Sequence, residues 1–221
     1  MSTVLVVAPH PDDEVLGAGG FIKKSSSHGD RVVVLTVSGH LPPLYSRAAY
    51  ETTVLEAKKA HQVLGVAHSD YLEIPATQVA DVPTHELNGK IRAAVDAHRP
   101  EVVLCPYPDR HVDHRVVFES VLVATRPIGS GKGIRVLAAY ETLSETHWNA
   151  PHIEPNFVPN WVVDISAEID AKATALGCFA SQVPPFPHPR SIEAARALAM
   201  FRGTQAGFAY GEGFHIIRMC S

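Results

Sequence analysis

Four short apolar runs, separated by stretches with helical periodicity, leave this 221-residue chain few folds to choose from. Residues 4–8 and 31–37 are rich in Val and Leu and bounded by breakers, as buried parallel strands are. Between them a helix is expected from Glu14 or Val15 to His28-Gly29, with Gly29 suited to its C-terminal cap. A second helix is expected over 46–64, with Leu55, Ala60, Val63 and Leu64 on its buried side and Gly65 as its stop. Then come a strand at 70–74, a helix at 85–97 and a buried strand at 101–105 that ends at Pro106. Such alternation predicts an α/β, Rossmann-like fold: a mostly parallel sheet with helices on both faces, a three-layer sandwich joined by right-handed crossovers. Past Gly129-Ser130-Gly131-Lys132-Gly133 the pattern loosens. Strands are expected at 135–140, 161–165 and 213–218, helices at 166–180 and 191–205, and a Pro-containing loop, a candidate lid, at 144–160. With no internal repeat or linker, residues 1–221 are expected to form one domain.

Charge and cysteine usage narrow the partners. A net charge of -4 gives no clustered excess of Lys and Arg, so neither a nucleic acid nor a membrane surface is expected. Apolar residues nowhere run on for the roughly 20 positions that a spanning helix needs. Residues 3–8 lack the basic flank of a signal peptide and run straight into His10, Asp12 and Asp13. Cys105, Cys178 and Cys220 are too scattered for a disulfide framework or a thiolate zinc site, which fits a cytoplasmic location. A homo-oligomer is compatible with all of this.

Two clusters carry the chemistry. The first strand ends in Pro9-His10-Pro11-Asp12-Asp13-Glu14, so an imidazole and three carboxylates emerge at the carboxyl edge of the sheet, where ligands bind in open α/β folds. Helix capping accounts for one Asp, and for Glu14, but not for His10 beside two adjacent Asp residues stiffened by prolines. Adjacent carboxylates repel unless a cation or proton compensates. The strand at 101–105 exits into Pro106-Tyr107-Pro108-Asp109-Arg110-His111-Val112-Asp113-His114 at the same edge. With a helix from Val112, His111 and His114 share a face. In the doubly wound order the first and fourth strands are neighbours, so the clusters would meet. His10, Asp13 and His114 then form a two-histidine, one-carboxylate set with a place left for water, as catalytic zinc requires. His111 stays free for substrate, and Asp113 fixes its tautomer or supports a ligand. Gly17-Ala18-Gly19-Gly20 costs helix stability, which points to close packing of helix against sheet with room beside the metal. A dinucleotide turn is disfavoured because the G-x-G-x-x-G spacing is absent.

Pro-His-Pro-Asp-Asp-Glu after the first strand, Gly-x-Gly-Gly behind it and His-x-Asp-His after a later strand together resemble the LmbE-like or PIG-L deacetylase family, whose members use zinc to deacetylate N-acetylglucosaminyl compounds. The resemblance extends to Lys172 through Phe179-Ala180-Ser181-Gln182 and to Gly211-Glu212-Gly213-Phe214. It implies His10, Asp13 and His114 as zinc ligands and Asp12 as the general base that activates the zinc-bound water. It further implies that His111 stabilises the oxyanion or protonates the leaving amine while Asp113 orients it. The implied substrate is a small N-acetyl sugar. The family often carries an Arg in the helix after strand two, where this chain has Thr53, with Glu56 three residues on. Arg47, about two turns earlier, is the candidate substitute, and its bland reading is a solvated surface arginine. Trp148 and Trp161, with His147 and His152, could line a sugar pocket, though aromatic residues in a late loop are as often packing.

Two alternatives follow: a zinc amidase or esterase acting on a non-sugar acyl compound, and a metal-binding homologue without catalysis. The unligated Asp12 argues against the second. No G-x-S-x-G elbow supports serine hydrolysis. Cys105 reads as a buried strand residue rather than a nucleophile.

Overall fold

The computed structural model describes residues 1–150 and 156–220. Strands β1 (Thr3–Ala8), β2 (Arg31–Gly39), β3 (His68–Pro75), β4 (Val102–Pro106), β5 (Val136–Tyr140), β6 (Trp161–Asp164) and β7 (Gly211–Met219) form one sheet in the order β3-β2-β1-β4-β5-β7-β6. The strands from β3 to β5 run parallel, and β7 is antiparallel to both β5 and β6. Helices α1 (Asp13–Ser27), α2 (Arg47–Leu64), α3 (Thr84–His98), α4 (Val112–Ala124), α5 (Ile169–Gly177) and α6 (Ile192–Thr204) cover it. The α/β, mostly parallel architecture expected from the sequence is the one observed. Among the described residues, no helix is long and apolar enough to cross a membrane.

The period-two alternation of each strand divides the core. Val4, Val6, Val32, Val34 and Leu104 face α1, α2, α5 and α6, whereas Leu5, Val7, Val33, Leu35 and Val103 face α3 and α4. Full burial on both faces explains why these strands read as continuous apolar runs.

α2 follows from its caps: the Ser46 hydroxyl accepts the Ala49 amide at 3.1 Å, and Gly65 ends the helix at φ 76°. Its buried stripe is Tyr50, Thr53, Glu56, Ala57, Ala60, His61 and Leu64. Leu55, expected on that side, is 59 % exposed. It lies two positions from Ala57, roughly 200° around the helix, so its hydrophobicity misled the reading.

α1 lies close to the sheet. A Cβ on Gly17 would fall 2.2 Å from Tyr140 Cδ2, and one on Gly20 2.6 Å from Ile165 Cγ2, which is the close packing the glycine run foreshadows. Behind α1, buried Lys172 donates to the Leu16 carbonyl (2.8 Å) and to Glu212 (2.6 Å). Glu212 accepts the Gly20 and Phe21 amides at 2.8 and 2.7 Å. Beside this pair Arg202 grips Glu141 through two bonds of 2.7 Å. α1 is thereby bolted to α5 and β7 in the turn that follows the site.

Candidate metal centre and active site

β1 and β4 are paired in register, Val4 with Val102 and Val6 with Leu104, so both motif-bearing turns leave the same edge side by side. The Pro9 carbonyl accepts the Ser38 amide (2.8 Å) and hydroxyl (2.9 Å), tying the first turn to the end of β2. Asp12 occupies the position before α1 at φ 116°, and its side chain makes no capping bond. Glu14 does that work instead: one of its oxygens accepts the Asp12 amide at 3.1 Å, and the other lies 3.0 Å from His61 Nε2.

Asp13 Oδ2 lies 3.2 Å from His10 Nδ1 and 3.3 Å from His114 Nε2. Each imidazole is held on its far side by its own carboxylate: His10 Nε2 is 2.9 Å from Asp113 Oδ2, and His114 Nδ1 is 3.0 Å from Asp109 Oδ2. Those outer bonds place the ring protons outward. A bare nitrogen of each neutral ring then points at the Asp13 carboxylate, and lone pairs facing a carboxylate repel unless a cation sits between them. His114 Nε2 is buried and has no hydrogen-bond partner, which is the orphan such a site requires. Ligand separations of about 3.3 Å are those of tetrahedral sites with bonds of about 2.0–2.1 Å. The alternative compensation is protonation. Burial pushes the His10 and His114 pKa values down, yet Asp113 and Asp13 beside His10, and Asp13 and Asp109 beside His114, outweigh it and hold them up at about 9 and about 10. The pocket is therefore built to hold positive charge, and its donor set fits a divalent metal.

His111 enters the cluster from the start of α4. Its nitrogen, with those of His10 and His114, forms a group whose members lie within 4.8 Å of one another. Its Nδ1 accepts the Asp113 amide at 3.1 Å as the helix cap. In the neutral ring that leaves the proton on Nε2, a donor rather than a ligand atom. Burial, then His10 and His114, lower its pKa to about 4, so the ring is neutral. Of the two roles expected for Asp113, the geometry matches support of a ligand rather than orientation of His111. Its carboxylate accepts from His10 and, at 2.7 Å, from the Thr77 amide, so it orients a candidate ligand, and only its backbone touches His111.

Asp12 is buried beside this cluster, with Arg190 Nη1 3.4 Å from its Oδ2. Burial raises its pKa; Arg190 opposes the rise, and Asp13 and Glu14 add to it. Arg190 also donates to Glu145 (3.1 Å) and to Ser144 Oγ (3.0 Å). No periodicity marks this arginine in the sequence, and the one usable signal is the proline-rich run at 184–189 that precedes it. Asp109, part of the second motif, is a further functional residue that its spacing does not mark. It accepts the His111 amide (3.0 Å), His114 Nδ1 and the Thr146 hydroxyl (2.9 Å).

Arg47 matches its reading as a solvated surface arginine: it is 55 % exposed and pairs with Glu73 (3.3 Å) and Glu51 (3.6 Å). Glu56 accepts the Ser181 amide (3.0 Å) and hydroxyl (2.6 Å), docking the Ser-Gln segment. Trp161 packs on Phe21 and Phe214 inside the fold, and His152 lies outside the described residues. A second cluster, His68, Asp70 and His98, sits at the start of β3 and the end of α3. Three of its four ring nitrogens are already engaged, since each Nε2 is 2.9 Å from an Asp70 oxygen and Arg31 donates to His98 Nδ1 at 3.3 Å.

The chain aligns with the diacetylchitobiose deacetylase of Thermococcus kodakarensis at 27 % identity over 227 residues, covering 97 % of this chain and 82 % of that protein. It is also 27 % identical over 243 residues to the 1D-myo-inositol 2-acetamido-2-deoxy-alpha-D-glucopyranoside deacetylase of Rhodococcus jostii, covering 83 % of this chain and 82 % of the other. The crystal structure of the conserved protein TT1542 from Thermus thermophilus superposes with a TM-score of 0.81 at 30 % identity, covering 100 % of this chain and 97 % of that one. The PIG-L pattern, described as GlcNAc-PI de-N-acetylase, matches residues 5–125, and that stretch holds both halves of the centre. With the pattern matched over more than half its length, the chain belongs to the PIG-L family.

Proposed function

We propose that residues 1–221 act as one domain, in the cytoplasm, that removes the acetyl group from the amine of an N-acetylglucosamine-type sugar with the help of zinc. The observation behind this reading is the arrangement of Asp13 between two imidazoles, each backed by a carboxylate, with Asp12 buried alongside and left out of the ligand set. His10, Asp13 and His114 would hold the metal. When bound, zinc supplies Lewis acidity and makes a water ionise near neutrality.

The chain's own residues do the rest. Asp12, its carboxylate held by Arg190, takes a proton from the attacking water. The His111 Nε2–H points its donor at the carbonyl oxygen as negative charge develops there. A neutral His111 is better placed to donate this bond than to protonate the amine, so the proton on Asp12 is the one returned to nitrogen. The C–N bond breaks, and acetate and a free amine leave.

The test is acetate release by zinc-loaded protein from a panel of N-acetylglucosamine derivatives. Asp12→Asn should lower turnover by about 10²–10⁴-fold with zinc stoichiometry kept. Silence of the wild type across the panel, or activity confined to acylated amino acids, would move the assignment to the non-sugar amidase.

A further inference from the structure

Trp148 is an exposed aromatic at the end of a mostly buried turn. Residues 141–146 and 149 are buried, whereas His147, Trp148 and Ala150 are exposed, and Trp148, a large apolar side chain, is 54 % exposed. A chain of contacts leads to it from the base: Asp12 to Arg190 (3.4 Å), Arg190 to Glu145 (3.1 Å), Glu145 to Arg110 (3.1 Å), and Arg110 over one face of the Trp148 ring at 5.8 Å. His188, whose Nδ1 accepts the Arg190 amide, meets the ring edge-on at 6.3 Å. The turn that carries the indole is also fixed in place. The Trp148 backbone amide donates to the Ser144 carbonyl at 3.2 Å, and Thr146 ties the same turn to Asp109, the carboxylate that holds His114.

A lone exposed aromatic needs no explanation. One anchored through two polar chains to the reacting centre, with a cation over one face and an imidazole at its edge, is a prepared surface. The apolar C–H face of a pyranose matches an open indole face, and its ring hydroxyls match flanking Arg and His donors. We propose that Trp148 is the floor of a second sugar subsite, so that the preferred substrate carries at least one more pyranose beside the N-acetylated ring that reacts. This inference rests on the sugar-deacetylase reading and narrows it to a disaccharide class.

The chain has two tryptophans, and the other, Trp161, is packed against Phe21 and Phe214, so emission can be assigned. Covering about 60 Å² of ring face is worth about tenfold in affinity. The experiment titrates chelator-treated full chain with N,N′-diacetylchitobiose and with N-acetylglucosamine, following intrinsic fluorescence. The disaccharide should shift the emission and bind about tenfold tighter than the monosaccharide. Trp148→Ala should abolish that advantage, Trp148→Phe should keep part of it and Trp161→Phe all of it. In zinc-loaded protein the disaccharide-to-monosaccharide ratio of kcat/KM should fall by the same factor in Trp148→Ala, through KM. An unchanged ratio in that variant overturns the subsite. So does an advantage shown by an aryl glycoside of N-acetylglucosamine but not by the disaccharide. Absence of acetate release from every N-acetyl sugar is a separate outcome, and it sinks the deacetylase reading instead.

Discussion

Asp109→Asn is the most informative single change, because Asp109 touches no reacting atom and yet fixes which nitrogen of His114 is bare. In the wild type, Oδ1 accepts the His111 amide, while Oδ2 accepts His114 Nδ1–H and the Thr146 hydroxyl, at 2.9–3.0 Å. An asparagine has one acceptor where two are needed. If its amide group replaces Oδ1, two N–H donors face each other at His111. If it replaces Oδ2, it meets the His114 Nδ1–H, and the imidazole must move its proton to Nε2, the atom aimed at Asp13. Carboxylates behind metal-bound histidines are worth about 10–100-fold in metal affinity. That is about 1.4–2.8 kcal/mol. The assay is competition for zinc against a chromophoric chelator, with circular dichroism and the metal-free melting temperature as controls for folding. Thr146→Val removes one of the three bonds and leaves His114 paired, so its loss should be smaller. Folded Asp109→Asn that holds zinc as tightly as the wild type would refute the tautomer argument.

The same substitution should have opposite signs at two glycines. Gly17→Ala puts a methyl 2.2 Å from Tyr140 Cδ2 and 2.8 Å from the Glu141 carbonyl, and should cost about 1–3 kcal/mol, read as a lower melting temperature. Gly89→Ala, on α3 with nothing within 4 Å, should stabilise by about 0.5–1 kcal/mol. Lys172→Met leaves the Glu212 carboxylate buried without its cation and should cost about 3–5 kcal/mol by denaturant unfolding. Burial pushes the Glu141 carboxyl up, but bonds from Arg202 and His147 outweigh it and hold its pKa below the ordinary 4.5. A group depressed in the folded state stabilises above its unfolded pKa, and that contribution fades as pH falls through the lower folded value. Glu141→Gln should therefore flatten the acid limb of a stability-versus-pH curve below about pH 4.5, and an unchanged limb would contradict the ion pair.

The alternation of strands and helices was legible because β1, β2 and β4 are buried on both faces, so composition alone marks them. The meeting of His10 with His114 followed from one rule of parallel sheets, that the first and fourth strands adjoin, and β1 and β4 do. What was hidden depends on direction rather than position. Asp113 follows His111 by two residues, but the turn into α4 sends its carboxylate toward His10, and no local pattern encodes that rotation. Leu55 failed for a related reason, since a single apolar residue off the stripe of α2 carries no vote on which side faces the core. Arg190 reaches Asp12 from 178 residues away, through a loop with no periodicity to read. The place of β7 between β5 and β6 is likewise a long-range choice.

Asp12 sits at φ 116° in a conformation that side chains other than glycine's avoid. Holding it there costs on the order of 1–3 kcal/mol. The twist sends two consecutive carboxylates apart, one toward the imidazoles and the other toward Arg190, which a relaxed turn would not do. Glycine at this position would relieve the strain and remove the proposed proton acceptor together. Asp12→Gly should thus melt higher than the wild type while losing about 10²–10⁴-fold in turnover: at this corner of the chain, robustness and reactivity trade against each other.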